Sequence, residues 1–205
     1  YEFLDKDNKV VGFDIDIMQE VAKKLGVKLE IEQMAFGGLL AALQAGKFDI
    51  MAAGVSVTEE RKKSVDFSDP YIVGSNAVIM HKDFTGKVEK LEDLKGKKMA
   101  VQLGTVQADA LNKIEGITVK EYNLFTEAAS AVSAKQADGM FISGFVAKSF
   151  VKADPNLKVV WEVKADDTAY ALRKDTPDLT KLVNEVLAEL KSSGKMDQLV
   201  NQWFK

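Results

Sequence analysis

Gly54, Ser56 and Arg61 stand close together in "GVSVTEERKKSVDFSDPY", residues 54–71, and their types suit the holding of a small molecule that carries a carboxylate. Gly54 closes the buried-strand pattern "FDIMAAGV", where a missing side chain lets a ligand approach the backbone. Thr58 followed by Glu59, Glu60 and Arg61 reads as the start of a short helix, with Thr58 as its cap and acids in the first turn. Ser56 and Arg61 then face one crevice at the carboxyl end of a strand, where open α/β sheets bind ligands. An Arg at that place offers a planar fork that matches a carboxylate. The same residues also admit a plainer arrangement, a surface Arg61 paired with Glu59, Glu60 or Asp66.

A second such place is "VQLGTVQADAL", residues 101–111. A strand runs into Gly104 and Thr105 and then into a helix, whose first backbone N–H groups can hold an anion. This single-glycine turn is neither a P-loop nor a GxGxxG fingerprint, so it does not point to a nucleotide. An ordinary strand-to-helix turn would look the same.

Other chemistries are narrowed by what the 205 residues contain. There is no cysteine, which removes disulfides, thiolate metal sites and cysteine nucleophiles, and His81 is the single histidine. A Ser-His-Asp triad would have to run through His81, which follows the apolar run "NAVIM" and reads as a surface residue on a strand leaving the core. The net charge of −3 provides no basic field for nucleic acid or anionic membrane. No apolar run reaches the length of a bilayer span, and no signal-peptide pattern is present.

The elements that must position these residues alternate between helix and strand. "GFDIDIMQEVAKKLG" places Ile15, Met18, Val21, Ala22 and Leu25 on a helical stripe closed by Gly26. "VKLEIEQM" alternates like a strand, "GGLLAALQAGK" is a second amphipathic helix, and "FDIMAAGV" is a short buried strand. After the charged stretch within residues 76–98 a new series begins: "KMAVQL", "TVKEY", "ADGMFI" and "NLKVVWEV" as strands, separated by helices at "GTVQADALNKI", "TEAASAVSAKQ" and "SGFVAKSFV". "DTAYALRK" is a further strand. Two helices close the chain, the first with Thr176 and Pro177 as cap and first turn and Gly194 as its stop. Alternation of this kind predicts βαβ units and a largely parallel sheet.

Taken together, "YEFLDKDNKVVGFDIDIMQEVAKKLG", "LLAALQAGKFDIMAAGVSVTEERKKSVDFSDPY", "LEDLKGKKMAVQLGT" and the closing "ALRKDTPDL…VNQWF" layout resemble the family 3 extracellular solute-binding proteins, the periplasmic amino-acid-binding proteins of ABC importers. The "TEERKKSVDFSDPY" block is the specific part of the likeness. The resemblance implies an α/β fold of the type II periplasmic-binding-protein kind, two lobes joined by two crossover strands and closing on ligand in the cleft between them. Lobe one is expected at residues 1–81 and 167–205, and lobe two at 82–166. Arg61 is then expected on the ligand α-carboxylate, Ser56 and the carbonyl of Gly54 on its amino group, Thr105 and the N–H of Val106 on the carboxylate, and Phe36 against the side chain. Asp66 and Asp69 would support the loop beneath Arg61. Gln107 and one of Met140 and Phe141 are further candidates for side-chain specificity.

Three departures accompany the likeness. In the second lobe the family usually reads Asp-Ala-x-x-x-Asp, the second acid meeting the ammonium; here the stretch is "DGMFIS", and Ser143 stands in that acid's place. The acid often found before the aromatic is Ala35. "YEF" falls inside what is usually "YxPFEF", so the first strand of lobe one is not among these residues, which would leave a sheet edge or a slot in that lobe. The expected function is capture of a small carboxylate-bearing solute, an amino acid, for an ABC permease, by a periplasmic or extracellular monomer with no cofactor, metal or nucleic-acid partner. The alternatives are an enzyme on the same scaffold, cyclohexadienyl dehydratase-like, a receptor or sensor ligand-binding domain, and an engineered or reconstructed binding protein of altered specificity.

Overall fold

The structure, a computed structural model, describes residues 1–204. In chain order it forms β1 (Glu2–Leu4), β2 (Val10–Gly12), α1 (Phe13–Leu25), α2 (Phe36–Gln44), β3 (Ile50–Met51), α3 (Glu59–Lys62), β4 (Asp66–Phe67) and β5 (Ile72–His81). There follow a 3₁₀ turn (Leu91–Leu94), β6 (Lys98–Gln102), α4 (Val106–Asn112), β7 (Thr118–Tyr122), α5 (Phe125–Ser133), β8 (Gly139–Ser143) and α6 (Gly144–Ala153). The chain closes with β9 (Leu157–Thr168), β10 (Ala171–Leu172), α7 (Pro177–Ser192) and α8 (Lys195–Phe204). Its contacts fall into two compact units, Tyr1–Met34 with Leu39–Val73 and Asp166–Lys205, and Ala35–Gly38 with Gly74–Ala165. The fold is α/β and of the two-lobed type.

Apart from the short segment Ala35–Gly38, which clusters with the second unit, the change of unit comes earlier than residue 81, between Val73 and Gly74. The reason is pairing: Asn76 to Met80 of β5 lie opposite Ser143 to Gly139 of β8, which commits β5 to the second unit. The return falls inside β9, between Ala165 and Asp166. The two strands that carry the chain from one unit to the other are therefore β5 and β9.

In the first unit β10 is the middle strand of a three-stranded sheet and pairs antiparallel with β3 and β4. Phe13, Ile17, Tyr71, Tyr170, Leu172 and residues of α7 and α8 share one core. The stripe predicted for α1 is buried at Ile15, Met18, Val21 and Ala22, while Leu25 remains 42% exposed beside the closing Gly26. "VKLEIEQM" does not join a sheet. A strand must hand its N–H and C=O groups to a neighbour, and among the described residues none lies beside it; Val27, Ile31 and Met34 stay exposed. Thr176 precedes α7 but does not cap it through its side chain; its hydroxyl donates to the carbonyl of Arg173 at 2.8 Å.

The second unit is built on a five-stranded sheet of order β7-β6-β8-β5-β9, with β6 parallel to β7 and β8, and β5 antiparallel to β8. Side chains alternate across it. Ala77, Ile79, Ala100, Met140 and Ile142 pack under α5 and α6, and Val78, Met80, Met99, Val101 and Phe141 pack under α4. Gly139 is required where β8 crosses the sheet centre, because a Cβ there would fall 2.7 Å from the Ile79 carbonyl oxygen, a backbone atom that cannot swing aside. "NLKVVWEV" extends further than expected and continues into "KADDT" as the single strand β9. His81, expected on the surface, keeps only 13% of its side chain exposed, beside Asp83 at 3.3 Å.

Candidate ligand-binding site

Arg61 is positioned by the helix start that its sequence predicts. The Thr58 hydroxyl accepts the N–H of Arg61 at 3.2 Å, and Glu59 and Glu60 occupy the first turn. Those two acids pair with Lys62 and Lys63. The Nη1 of Arg61 donates to the carbonyl of Ser56 at 2.9 Å, which ties the guanidinium to the end of the strand segment. Ser56 itself is bridged to Thr168, and on either side Val57 N–H meets the Asp167 carbonyl and Ala169 N–H meets that of Val55.

The "DFSDPY" turn supports this loop through Ser68 more than through its acids. Buried Ser68 accepts the N–H of Tyr170 at 3.0 Å and donates to the carbonyl of Asp69. Asp66 lies opposite Leu172 in the sheet, and Asp69 donates its N–H to Asn184 at 2.7 Å.

Gly54 has φ +58°, a conformation that favours glycine. A side chain there would also strike the Tyr1 ring, 2.2 Å from an added Cβ. The N–H of Gly54 donates to Oδ2 of Asp14 at 3.0 Å, while Oδ1 of Asp14 accepts the Tyr170 hydroxyl at 3.1 Å. Asp14 is wholly buried. Burial raises its carboxyl above the usual range, against the pull of the amino terminus and of hydrogen bonds from Tyr71, Gly54 and Tyr170. Asp14 was not among the residues singled out in the sequence, since an acid in a helix's first turn ordinarily complements the dipole. The signal was its spacing: Asp14 falls four residues before Met18 and seven before Val21, on the buried stripe.

In the second unit Thr105 caps α4, accepting the N–H of Ala108 at 3.3 Å and donating to the carbonyl of Gln102 at 2.7 Å. No described residue accepts the N–H of Val106, the first residue of α4. Gly104, at φ +78°, lets the turn approach Gly37, whose Cα lies 2.8 Å from the place of an added Cβ. Phe36, half-buried at the start of α2, belongs to the same cluster of contacts.

Ser143 ends β8 opposite Asn76 and precedes α6 without capping it through its side chain. It shares its face of β8 with Phe141, as Asn76 shares its face of β5 with Val78, so both point to the α4 side. There Gln107 donates to Asn76 at 2.7 Å. Thr105, Gln107, Asn76 and Ser143 thus make an uncharged polar strand end. Asp138, the first acid of the family pattern, accepts the N–H of Lys98 at 2.7 Å. Met140 and Phe141 are both core residues, 0% and 3% exposed, packed on opposite faces of β8. A groove of about 410 Å³ between α5 and α6, lined by Ser130, Ser133, Phe150 and Leu157 among others, includes none of the expected ligand residues.

Comparison with known proteins decides the family. The description "Bacterial extracellular solute-binding proteins, family 3" matches residues 1–205. The chain belongs to that family. It is 32% identical to the arginine-binding extracellular protein ArtP of Bacillus subtilis, over all of this chain and 81% of that protein. It is 31% identical to the L-cystine-binding protein TcyJ of Escherichia coli, over all of this chain and 78% of that protein. Among solved structures, an ancestral arginine-binding protein bound to arginine superposes with a TM-score of 0.95 at 39% identity, covering 100% of this chain and 93% of that one. Among the described residues no helix is long and apolar enough to cross a membrane.

Proposed function

We propose that this family member binds an amino acid outside the cytoplasmic membrane and delivers it to an ABC permease, acting as a monomer and without covalent chemistry. The observation that carries the reading is the tether of Arg61 to the Ser56 carbonyl. A guanidinium held at a strand end is pre-organised for a carboxylate, so less entropy is lost when the ligand arrives. In this reading Arg61 takes the α-carboxylate and Ser56 and the Gly54 carbonyl take the ammonium. The N–H of Val106 adds a donor to the carboxylate, with Thr105 holding that turn in shape. Phe36 covers the ligand side chain, and Ser143 supplies a hydroxyl. The names of the relatives, binding proteins for arginine and cystine, support binding over catalysis.

The test is thermal unfolding of the protein with each L-amino acid in turn. A ligand at one hundred times its Kd stabilises the native state by about 2.7 kcal/mol. For a chain of this size that raises Tm by roughly 5–10 °C. The reading expects such a shift for at least one amino acid and its loss in Arg61→Ala; a folded protein that no amino acid stabilises would contradict it.

A further inference from the structure

With Thr105, Gln107, Asn76 and Ser143, the polar strand end of the second unit is uncharged and offers a ligand ammonium no carboxylate. A carboxylate does lie close behind the other expected ammonium contact. Asp14, wholly buried, accepts the N–H of Gly54, the residue whose carbonyl is assigned to the ammonium.

We infer that Asp14 is the counter-charge and positioning residue for the ligand ammonium, acting through Gly54 from beneath the loop. The inference rests on the amino-acid-binding reading above. Its geometry is specific: Oδ2 takes the Gly54 N–H and Oδ1 takes the Tyr170 hydroxyl, so each oxygen is an acceptor and neither needs a proton of its own. The contact also holds Gly54 at φ +58°, which fixes the direction of its carbonyl. Burial raises the Asp14 carboxyl, and the amino terminus, the Tyr71 hydroxyl, the Gly54 N–H and the Tyr170 hydroxyl act against that push and favour the ionised form. The other acid of this neighbourhood, Glu2, has its carboxyl pushed up to about 7 by burial. A unit charge one residue behind the carbonyl, at an effective dielectric of about 20, changes a binding constant for a cation by on the order of tenfold or more.

The experiment compares L-arginine with 5-guanidinopentanoic acid, and L-glutamine with glutaramic acid, each pair differing by the α-ammonium. Affinities are measured by calorimetry for the wild type, Asp14→Asn and Tyr170→Phe. Asn retains an acceptor for Gly54 and an amide for Tyr170, so the shape is kept and the charge is lost. The wild type is expected to prefer at least one amino acid over its deaminated partner. Asp14→Asn should reduce that preference about tenfold or more, while Tyr170→Phe, which loses a buried hydrogen bond but no charge, should retain it. An undiminished preference in Asp14→Asn overturns the inference and leaves the amino-acid reading standing; no preference in the wild type overturns both. If Asp14→Asn does not fold, the carbon-13 resonance of the Asp14 carboxyl in the wild type decides the matter. An ionised carboxylate at pH 7 supports the inference, and a protonated one overturns it.

Discussion

The hydroxyl of Thr105 gives its proton to the carbonyl of Gln102 at 2.7 Å, and its oxygen accepts the N–H of Ala108. A hydroxyl has one proton to donate. The hydroxyl proton of Thr105 is thus committed within the turn, which leaves backbone N–H groups at the start of α4, that of Val106 among them, as donors for a carboxylate, with Thr105 as the residue that shapes the turn.

Thr105→Ser keeps both bonds and should titrate ligand like the wild type. Thr105→Val removes the cap and the hydroxyl's bond to the Gln102 carbonyl, at a cost of about 1–2 kcal/mol. Urea unfolding measures the loss of stability, and calorimetry should show ligand affinity weakened less than about tenfold, since the Val106 N–H remains.

Arg61→Lys separates charge from shape. The ammonium keeps the charge but loses the planar fork and the tether to Ser56. Affinity for the ligand should fall by about tenfold to one-hundredfold. Stability should move by no more than about 1 kcal/mol, because the half-buried side chain is tied to the protein by a charge-assisted bond at a wet edge.

Ser68 is a structural prediction for the block that carries Arg61. Its oxygen is the acceptor for the buried N–H of Tyr170. Ser68→Ala orphans that N–H and should destabilise the protein by about 1–3 kcal/mol, read as a shifted urea midpoint. Asp69→Ala, which removes a side chain from an exposed residue while its N–H still meets Asn184, should shift it far less.

Much of this was legible in the chain. The helix start at Thr58 followed from an N-cap residue with acids behind it, and the strands of the second unit followed from short apolar runs between turns. Helical spacing placed Ile15, Met18, Val21 and Ala22 correctly in a core. The alternation of Val27 to Met34 misled because period two describes a side-chain pattern, whereas a ladder requires a partner strand. Met140 and Phe141 were ambiguous for a related reason: a strand covered on both faces sends successive residues into two cores. The role of Ser68, and the pairing of Asp14 with Gly54 across forty positions, depend on tertiary contacts that no local pattern reports.

Stability should also depend on pH through Glu2. Burial pushes its carboxyl from 4.5 up to about 7, and the Asp14 carboxylate adds to this, against the pull of the amino terminus. The native state then holds its proton to higher pH than the unfolded chain does. The associated stability is complete below about pH 4.5 and is lost as pH rises through about 7. With 30% of the side chain exposed, the loss should be on the order of 1 kcal/mol. Urea midpoints between pH 4 and 8 should show this decline, and Glu2→Gln should flatten it.

The central claim is that Arg61 holds the carboxylate of an amino acid. Calorimetric titration of the intact protein with the standard L-amino acids, with Arg61→Ala alongside, addresses it most directly. The account predicts saturable one-site binding of at least one amino acid and none to the folded Arg61→Ala protein. Equal affinity in the two proteins, or no saturable heat from any amino acid with the folded wild type, would contradict it.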